Sequence, residues 1–319
     1  MIFSYVRNGH GLTQLPADAA VESAIWIDLY RPTPDEVVRI ESLGLPVPSL
    51  EDMEEIEISN RLYREAGAEY MTVVLPGQTP DKEQVIAPVT FILSRDRLIT
   101  VRHHAPRPFE TFGVRADKTS TGCTTTGHLF LGLVEEILGR QADLLEAVGR
   151  VLDAIARRVF GGATAQTPAV LQEALQTIGV QGEQLSRVRL GLLTTERMVA
   201  HFSQSVDEAP EAKALRTHAK SRQRDLQALE VHADFLASRL SFTTDATLGM
   251  VNLSQNMTVR IVSVVAVLFL PPTLIASVYG MNFTHMPELV TSWGYPLSLL
   301  LMIGSALGTY LYFKWRNWL

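Results

Sequence analysis

The residues best placed to do chemistry are neutral, oxygen-bearing side chains set in stretches without formal charge. From Ile261 to Pro287 there is no Asp, Glu, Lys or Arg, and after Glu288 the run Leu289 to Phe313 is again free of them. Ser263, Thr273 and Ser277 lie inside the first run, and Asn256 precedes it by about one helical turn. With Asn256 at zero and about 100° per residue, Ser263 falls near 340°, Ser277 near 300° and Thr273 near 260°. Val259, Ala266 and Leu270 share that arc of about 100°. The stripe is mildly polar and interrupted by apolar residues. Hydroxyls of this kind also bond back to their own helix or to a neighbouring one, and the stripe alone leaves that alternative open. The sharper reading is a pore wall. A small divalent cation gives up its water reluctantly, so a path for it should offer amides and hydroxyls to the bound water rather than a cage of carboxylates. Val259 and Leu270 would then be constrictions that gate by dewetting. One helix cannot surround a pore, so this reading requires several copies around an axis.

Other chemistries find little support. No phosphate-binding glycine loop with its lysine is present, and no nucleophile, base and acid group together, so an enzyme is not expected. His103 and His104 are adjacent, which in a strand sends them to opposite faces, so they read as structural or surface residues. The lone Cys123 excludes an internal disulfide and a cysteine-built zinc site. A net charge of −6 and a pI near 5.8 argue against nucleic acid as a partner. The N-terminus lacks the pattern of a cleaved signal peptide.

The elements that must position the stripe are two apolar segments, Ile261–Tyr279 and Tyr295–Phe313. At 1.5 Å per residue each reaches roughly 28 Å, the thickness of a bilayer's hydrocarbon core. Arg260 precedes the first; Lys314 and Arg316 follow the second; the connecting loop carries neither Lys nor Arg. The positive-inside rule therefore places both termini in the cytoplasm and residues 280–294 outside. Trp293, Tyr295, Tyr312, Trp315 and Trp318 sit where an aromatic belt would.

Upstream, residues 1–125 read as a cytosolic α/β domain. Strands are expected at 25–30, 69–75, 85–93 and 97–103, the last two as a hairpin. A helix is expected from Pro34 to Gly44, and an acidic helix or turn over 50–58. Residues 126–210 carry two helical stripes. The first is Val134, Leu138, Leu145, Val148, Leu152, Ile155 and Val159, with Gln141 in the missing place. The second is Leu171, Leu175, Ile178, Leu185, Val188, Leu192, Val199 and Phe202; both read as bundle packing. A third pattern over 211–260 runs without proline into the first span. Helix from 211 to 278 would be on the order of 100 Å long, a stalk feeding a pore. The expected whole is an α+β membrane protein: α/β domain, paired helices, stalk, spans at 261–279 and 295–313, and a cytosolic tail at 314–319.

The first span ends in Tyr279-Gly280-Met281-Asn282-Phe283. The loop then reads Met286-Pro287-Glu288-Leu289, and the chain closes with a basic aromatic tail. Gly-Met-Asn alone is a weak signal. At the exit of the first of two C-terminal spans, with Met-Pro-Glu-Leu in the loop, it closely resembles the CorA family of magnesium transporters, above all from Gly249 to Leu319. Leu50-Glu51-Asp52 also looks like a family element. The resemblance implies a homopentameric funnel in the inner membrane, its pore lined by the first span. Asn282 would bind hydrated Mg2+ in a ring, with Gly280 and Met281 shaping the turn, while Asn256 and Thr273 match inner pore positions. Co2+ and Ni2+ are implied as alternative cargo. It also implies closure by cytosolic Mg2+ held between subunits, for which Asp52 and Asp225 are the matching acids; two solvated surface acids are the plain alternative. Many members carry a further acid where this chain has Thr284-His285, which leaves Glu288 as the acid at the mouth. A zinc transporter of related fold and a non-conducting membrane scaffold are the competing readings. The Met-Pro-Glu-Leu loop speaks against the first, the polar stripe and Asn282 against the second. No ATP is needed: a divalent ion gains about 4.6 kcal/mol per 100 mV of inside-negative potential.

Overall fold

The computed structural model describes residues 1–16, 19–161, 167–206, 211–281, 287 and 291–316. The chain divides into two units, Met1–Ile155 with Gln176–Thr243, and Ala156–Leu175 with Thr244–Leu319.

The first unit is built on a seven-stranded sheet. Its strands are β1 (Ile2–Asn8), β2 (Gly11–Gln14), β3 (Trp26–Tyr30), β4 (Leu62–Glu65), β5 (Ala68–Gln78), β6 (Gln84–Leu93) and β7 (Leu98–Arg102). Their order is β2-β1-β3-β7-β6-β5-β4. Only β3 and β7 run parallel; the other neighbours are antiparallel, and β6 and β7 form the expected hairpin. The central strands are buried on both faces, which is why Trp26–Leu29, Met71–Leu75 and Leu98–Arg102 show no exposed position.

One face packs Ile27, Leu29, Tyr70, Ile92, Ile99 and Val101 into a core with Ile40 and Met53. Ile40 comes from α1 (Pro34–Glu41) and Met53 from α2 (Leu50–Glu54). Both helices start with a capping box, Thr33 with Glu36 and Ser49 with Asp52, so their first free N–H groups find partners. The acidic stretch expected over 50–58 is broken at Glu55, whose extended backbone separates α2 from the short α3 (Ile58–Arg61).

The opposite face carries polar side chains. Trp26, Asp28 and Tyr30 alternate onto it from β3, and the parallel register sets Asp28 beside Thr100 and Tyr30 beside Arg102. Arg102 Nη2 donates to Asp28 Oδ2 at 2.8 Å and Nε donates to both carboxylate oxygens at 3.1 Å. Thr100 donates to Asp28 Oδ1 at 2.8 Å and receives the Trp26 indole N–H at 3.1 Å. Both charged side chains are almost fully buried. The guanidinium also lies 4.6 Å from the Tyr30 ring centre and 5.4 Å from that of Phe109, which belongs to α4 (Arg107–Arg115). Two long helices, α5 (Thr126–Phe160) and α6 (Pro168–Ser205), add Phe130, edge-on to Phe91 with ring centres 5.7 Å apart, and Phe202, tilted against Phe130 at 4.7 Å. Thr194 of α6 accepts the Val74 backbone N–H at 3.1 Å, which joins that helix to the sheet.

His104 follows β7 and is 2 % exposed. Its Nε2 donates to the Leu75 carbonyl at 2.8 Å, so the ring is a structural strut. Burial, with Arg102 and His103 nearby, pushes its pKa down to about 4. A folded-state pKa below the unfolded value near 6.5 gives stability that is complete above pH 6.5 and lost as pH falls towards 4. His104→Gln, which can still donate to Leu75, is expected to flatten that acid limb of a thermal-melt profile; an unchanged limb would reassign it to another group.

The remaining stripes also meet expectation. Val134, Leu138, Gln141, Leu145, Val148, Leu152, Ile155 and Val159 are buried, as are Leu171, Ile178, Leu185, Val188, Leu192, Val199 and Phe202. Leu175 is only partly covered. The next helix, α7, is continuous from Ala212 to Tyr279 through Pro271 and Pro272. In the first unit it contributes Leu226, Ala233 and Leu236 to the core, and Asp234 binds Arg189 of α6 at 2.8 Å.

The second unit contains the C-terminal part of α7 and α8 (Gly294–Trp315). Each is long and apolar enough to cross a membrane, and only 6 % and 11 % of their most apolar windows are buried. A soluble core helix would be covered; these are bare, as lipid-facing helices are.

Candidate functional site: a two-sided helix

In the second unit α7 has two distinct sides. Val264 is buried, and Leu268, Pro271, Pro272, Ile275 and Tyr279 are partly covered. On the wheel that sets Asn256 at zero, these six lie between about 60° and 160°. Asn256, Val259, Ser263, Leu270, Thr273 and Ser277 are all exposed and lie on roughly the opposite side. The polar stripe is therefore the side that a single chain leaves open.

The second apolar helix shows a complementary division. Its sheltered positions include Ser298, Met302, Ser305, Ala306, Thr309 and Phe313, which share one face. The three hydroxyls return to their own helix: Ser298 donates to Tyr295 O at 2.9 Å, Ser305 to Met302 O at 2.8 Å and Thr309 to Ser305 O at 2.9 Å. In α8 the hydroxyl hydrogens are thus satisfied within the helix, and these three side chains lie on its sheltered face.

Thr273 also bonds back to its helix, donating to Phe269 O at 2.6 Å. The back-bonding alternative is thus realised here. It uses only the hydroxyl hydrogen. The oxygen keeps acceptor capacity on the open side, and acceptors are what the outward hydrogens of a hydrated cation require. Pro271 and Pro272 have no N–H, so the carbonyls of Val267 and Leu268 lose their helical partners one turn earlier. The prolines themselves are partly covered, while Leu270 and Thr273 are exposed. Sequence reasoning found the stripe from its polar atoms. It missed the covered side, whose signal was the matching spacing of Val264, Leu268 and Ile275.

At the end of α7 the Gly280 N–H donates to Ala276 O at 2.9 Å and that of Met281 to Val278 O at 3.3 Å. Met281 is half exposed. Asn282 and Glu288 lie outside the described residues.

Asp52 and Asp225 stand on separate elements of the first unit. Asp52 Oδ2 accepts from the Ser49 backbone at 2.9 Å and its hydroxyl at 2.7 Å. These bonds hold its pKa below the usual carboxylate value. Asp225 Oδ2 accepts from Arg222 Nη1 at 3.0 Å on its own helix. Arg222 also reaches Glu135 of α5 at 3.4 Å, a partner that sequence spacing did not reveal. Both aspartates are exposed, and no hydrogen bond or ion pair joins them within the described residues. Each keeps one carboxylate oxygen, Oδ1, that takes none of these bonds. Among the described residues no group of three or more His, Cys, Asp or Glu side chains is placed to hold a metal. One oxygen from each acid plus water would suit Mg2+, which usually keeps several waters and takes one or two carboxylates.

Comparison with known proteins agrees with this architecture. The model of a family described as CorA-like Mg2+ transporter protein matches residues 21–315. The magnesium transport protein CorA of Haemophilus influenzae is 31% identical over 321 residues, covering 100% of both chains. The protein of the same description from Escherichia coli K12 is 32% identical over 322 residues, again covering 100% of both. Among solved structures, the complete CorA magnesium transporter from Methanocaldococcus jannaschii superposes with a TM-score of 0.77 at 18% identity, covering 100% of this chain and 99% of that one. The full-length CmaX protein gives 0.69 at 16% identity, covering 99% and 97%. At such identities the structures speak for the fold alone, while the family match and the end-to-end relatives settle kinship: this chain belongs to the CorA-like Mg2+ transporter family.

Proposed function

We propose that this chain conducts hydrated Mg2+ into the cell through a homopentamer in the inner membrane, driven by the membrane potential. On this reading residues 261–279 line the pore, 295–313 pack outside it, and residues 1–260 and the tail 314–319 are cytoplasmic. Asn256, Ser263, Thr273 and Ser277 offer neutral oxygens to the ion's water, Val259 and Leu270 narrow the path, and Gly280-Met281-Asn282 forms the outer selective ring. Glu288 attracts cations at the external mouth. Co2+ and Ni2+, similar in charge and size, are carried as alternatives.

The observation that carries this reading is the two-sidedness of α7. A membrane anchor has no need of a polar stripe, and this stripe lies on the side of α7 that the chain itself leaves uncovered. Closure belongs to Asp52 and Asp225 of neighbouring copies: Mg2+ between them offsets their repulsion, and its loss at low internal Mg2+ loosens the ring. The free Oδ1 atoms support that role.

The test is Mg2+ flux into liposomes holding the purified chain, with an inside-negative potential and low internal Mg2+. Uptake that follows the voltage and is competed by Co2+ and Ni2+ supports the reading; vesicles that stay tight to Mg2+ reject it. In the same vesicles, Asp52→Asn with Asp225→Asn removes both the repulsion and the Mg2+ that offsets it, and is expected to weaken the dependence of uptake on internal Mg2+ by about tenfold, the size of a typical coupling energy. Unchanged inhibition would return both acids to the role of solvated surface groups.

A further inference from the structure

Two cavities adjoin on the first unit, among the β5–β6 hairpin, α4, α5 and α6. The larger has a volume of about 720 Å³ and the smaller about 280 Å³. Arg107 and Arg140 line both. Arg187 adds a third guanidinium to the larger, Arg115 to the smaller.

The acids around them do not balance this charge. Glu136 is taken by Arg115 at 3.2 Å and by the Thr111 hydroxyl at 2.7 Å. Glu183 is taken by Arg187 at 3.0 Å. Asp143, exposed at the rim of the smaller cavity, is the remaining carboxylate. Among the described residues neither Arg107 nor Arg140 has an ion-pair partner. Two paired arginines thus flank two unpaired ones that share both cavities. No aromatic ring lines either space, so recognition here rests on charge and on the guanidinium fork. Glycines open the floor: a Cβ on Gly139 or Gly179 would meet nothing within 4 Å.

We propose that this cleft binds a small molecule carrying two or more linked phosphates, gripped by Arg107 and Arg140. A guanidinium fork pairs two-pronged with phosphate oxygens, and two unpaired forks in one cleft suit phosphates linked in a short chain. The volumes suit a compact ligand rather than a protein segment. The assignment is independent of ion conduction, because binding alone reads it.

The experiment is titration calorimetry on the full chain in detergent micelles. The ligands are tripolyphosphate and ATP, with EDTA present so that no divalent ion bridges. Saturable binding is expected, weakened at least about tenfold by Arg107→Ala with Arg140→Ala. It should be weakened less by the paired lysine variants, which keep charge and lose the fork. Arg150→Ala, remote in the paired helices, is expected to leave it unchanged. Tighter binding of ATP than of tripolyphosphate assigns the larger cavity to a nucleoside; equal binding assigns the phosphate chain alone. Should the alanine pair fail to fold, the lysine pair carries the test. No binding to wild type, equal binding by the arginine variants, or equal binding of a polyglutamate peptide overturns the proposal.

Discussion

Asn282→Ala is expected to reduce voltage-driven Mg2+ uptake to below about a tenth while the purified assembly keeps its size on gel filtration. The reason lies in the ion's water. An Mg2+ ion that keeps its first shell offers hydrogens outward, and an amide oxygen accepts them where a methyl group cannot. A hydrogen bond involving a charged species contributes about 1.5–3 kcal/mol, and each 1.4 kcal/mol is tenfold, so losing one per subunit around a ring is severe. Asn282→Asp separates neutral recognition from simple polarity: it keeps an oxygen, adds charge, and is expected to bind the ion at the mouth and slow its passage. Normal flux through the alanine variant would remove Asn282 from the selective ring.

The second large effect concerns stability. Asp28→Ala leaves the Arg102 guanidinium buried without its carboxylate and takes the acceptor from Thr100. Breaking a buried pair on one side costs about 3–5 kcal/mol. For a unit of this size that lowers the melting temperature by on the order of 10 °C. Asp28→Leu combined with Arg102→Met is expected to recover much of the loss, because the uncompensated charge is gone and apolar volume remains. Circular dichroism melts of the full chain decide it. Equal damage from the single and double variants would show that removing the buried charge recovers nothing, and would reject the missing charge partner as the source of the loss.

Much of this could be read along the chain. The two apolar spans announce themselves by lacking charge over more than a helix length, a signal that needs no tertiary context. The strands at Trp26–Tyr30, Ala68–Gln78, Gln84–Leu93 and Leu98–Arg102 were legible for the same reason: the sheet buries both faces, so their sequences are nearly continuously apolar. β1, β2 and β4 were missed. Arg7, Asn8, Arg64 and Glu65 make them look like loop, and they lie at or near the sheet's edges where one side meets water. The Asp28–Arg102 pair was invisible because it spans 74 residues and depends on a parallel register that local pattern does not encode. Asp225 was chosen as a possible ligand, yet its bond to Arg222 three residues earlier follows from ordinary helical spacing and was available to inspection.

The hydroxyl of Thr273 has already surrendered its hydrogen to Phe269 O. It can take a hydrogen bond but has none left to give. Such a surface sorts solutes by the orientation of the water they carry. Chloride turns the oxygens of its hydration shell outward and would meet lone pairs facing lone pairs at that level. On the proposed pore reading, Thr273 therefore favours hydrated cations over hydrated anions at its level, and reversal potentials measured in a chloride gradient are expected to ignore that gradient.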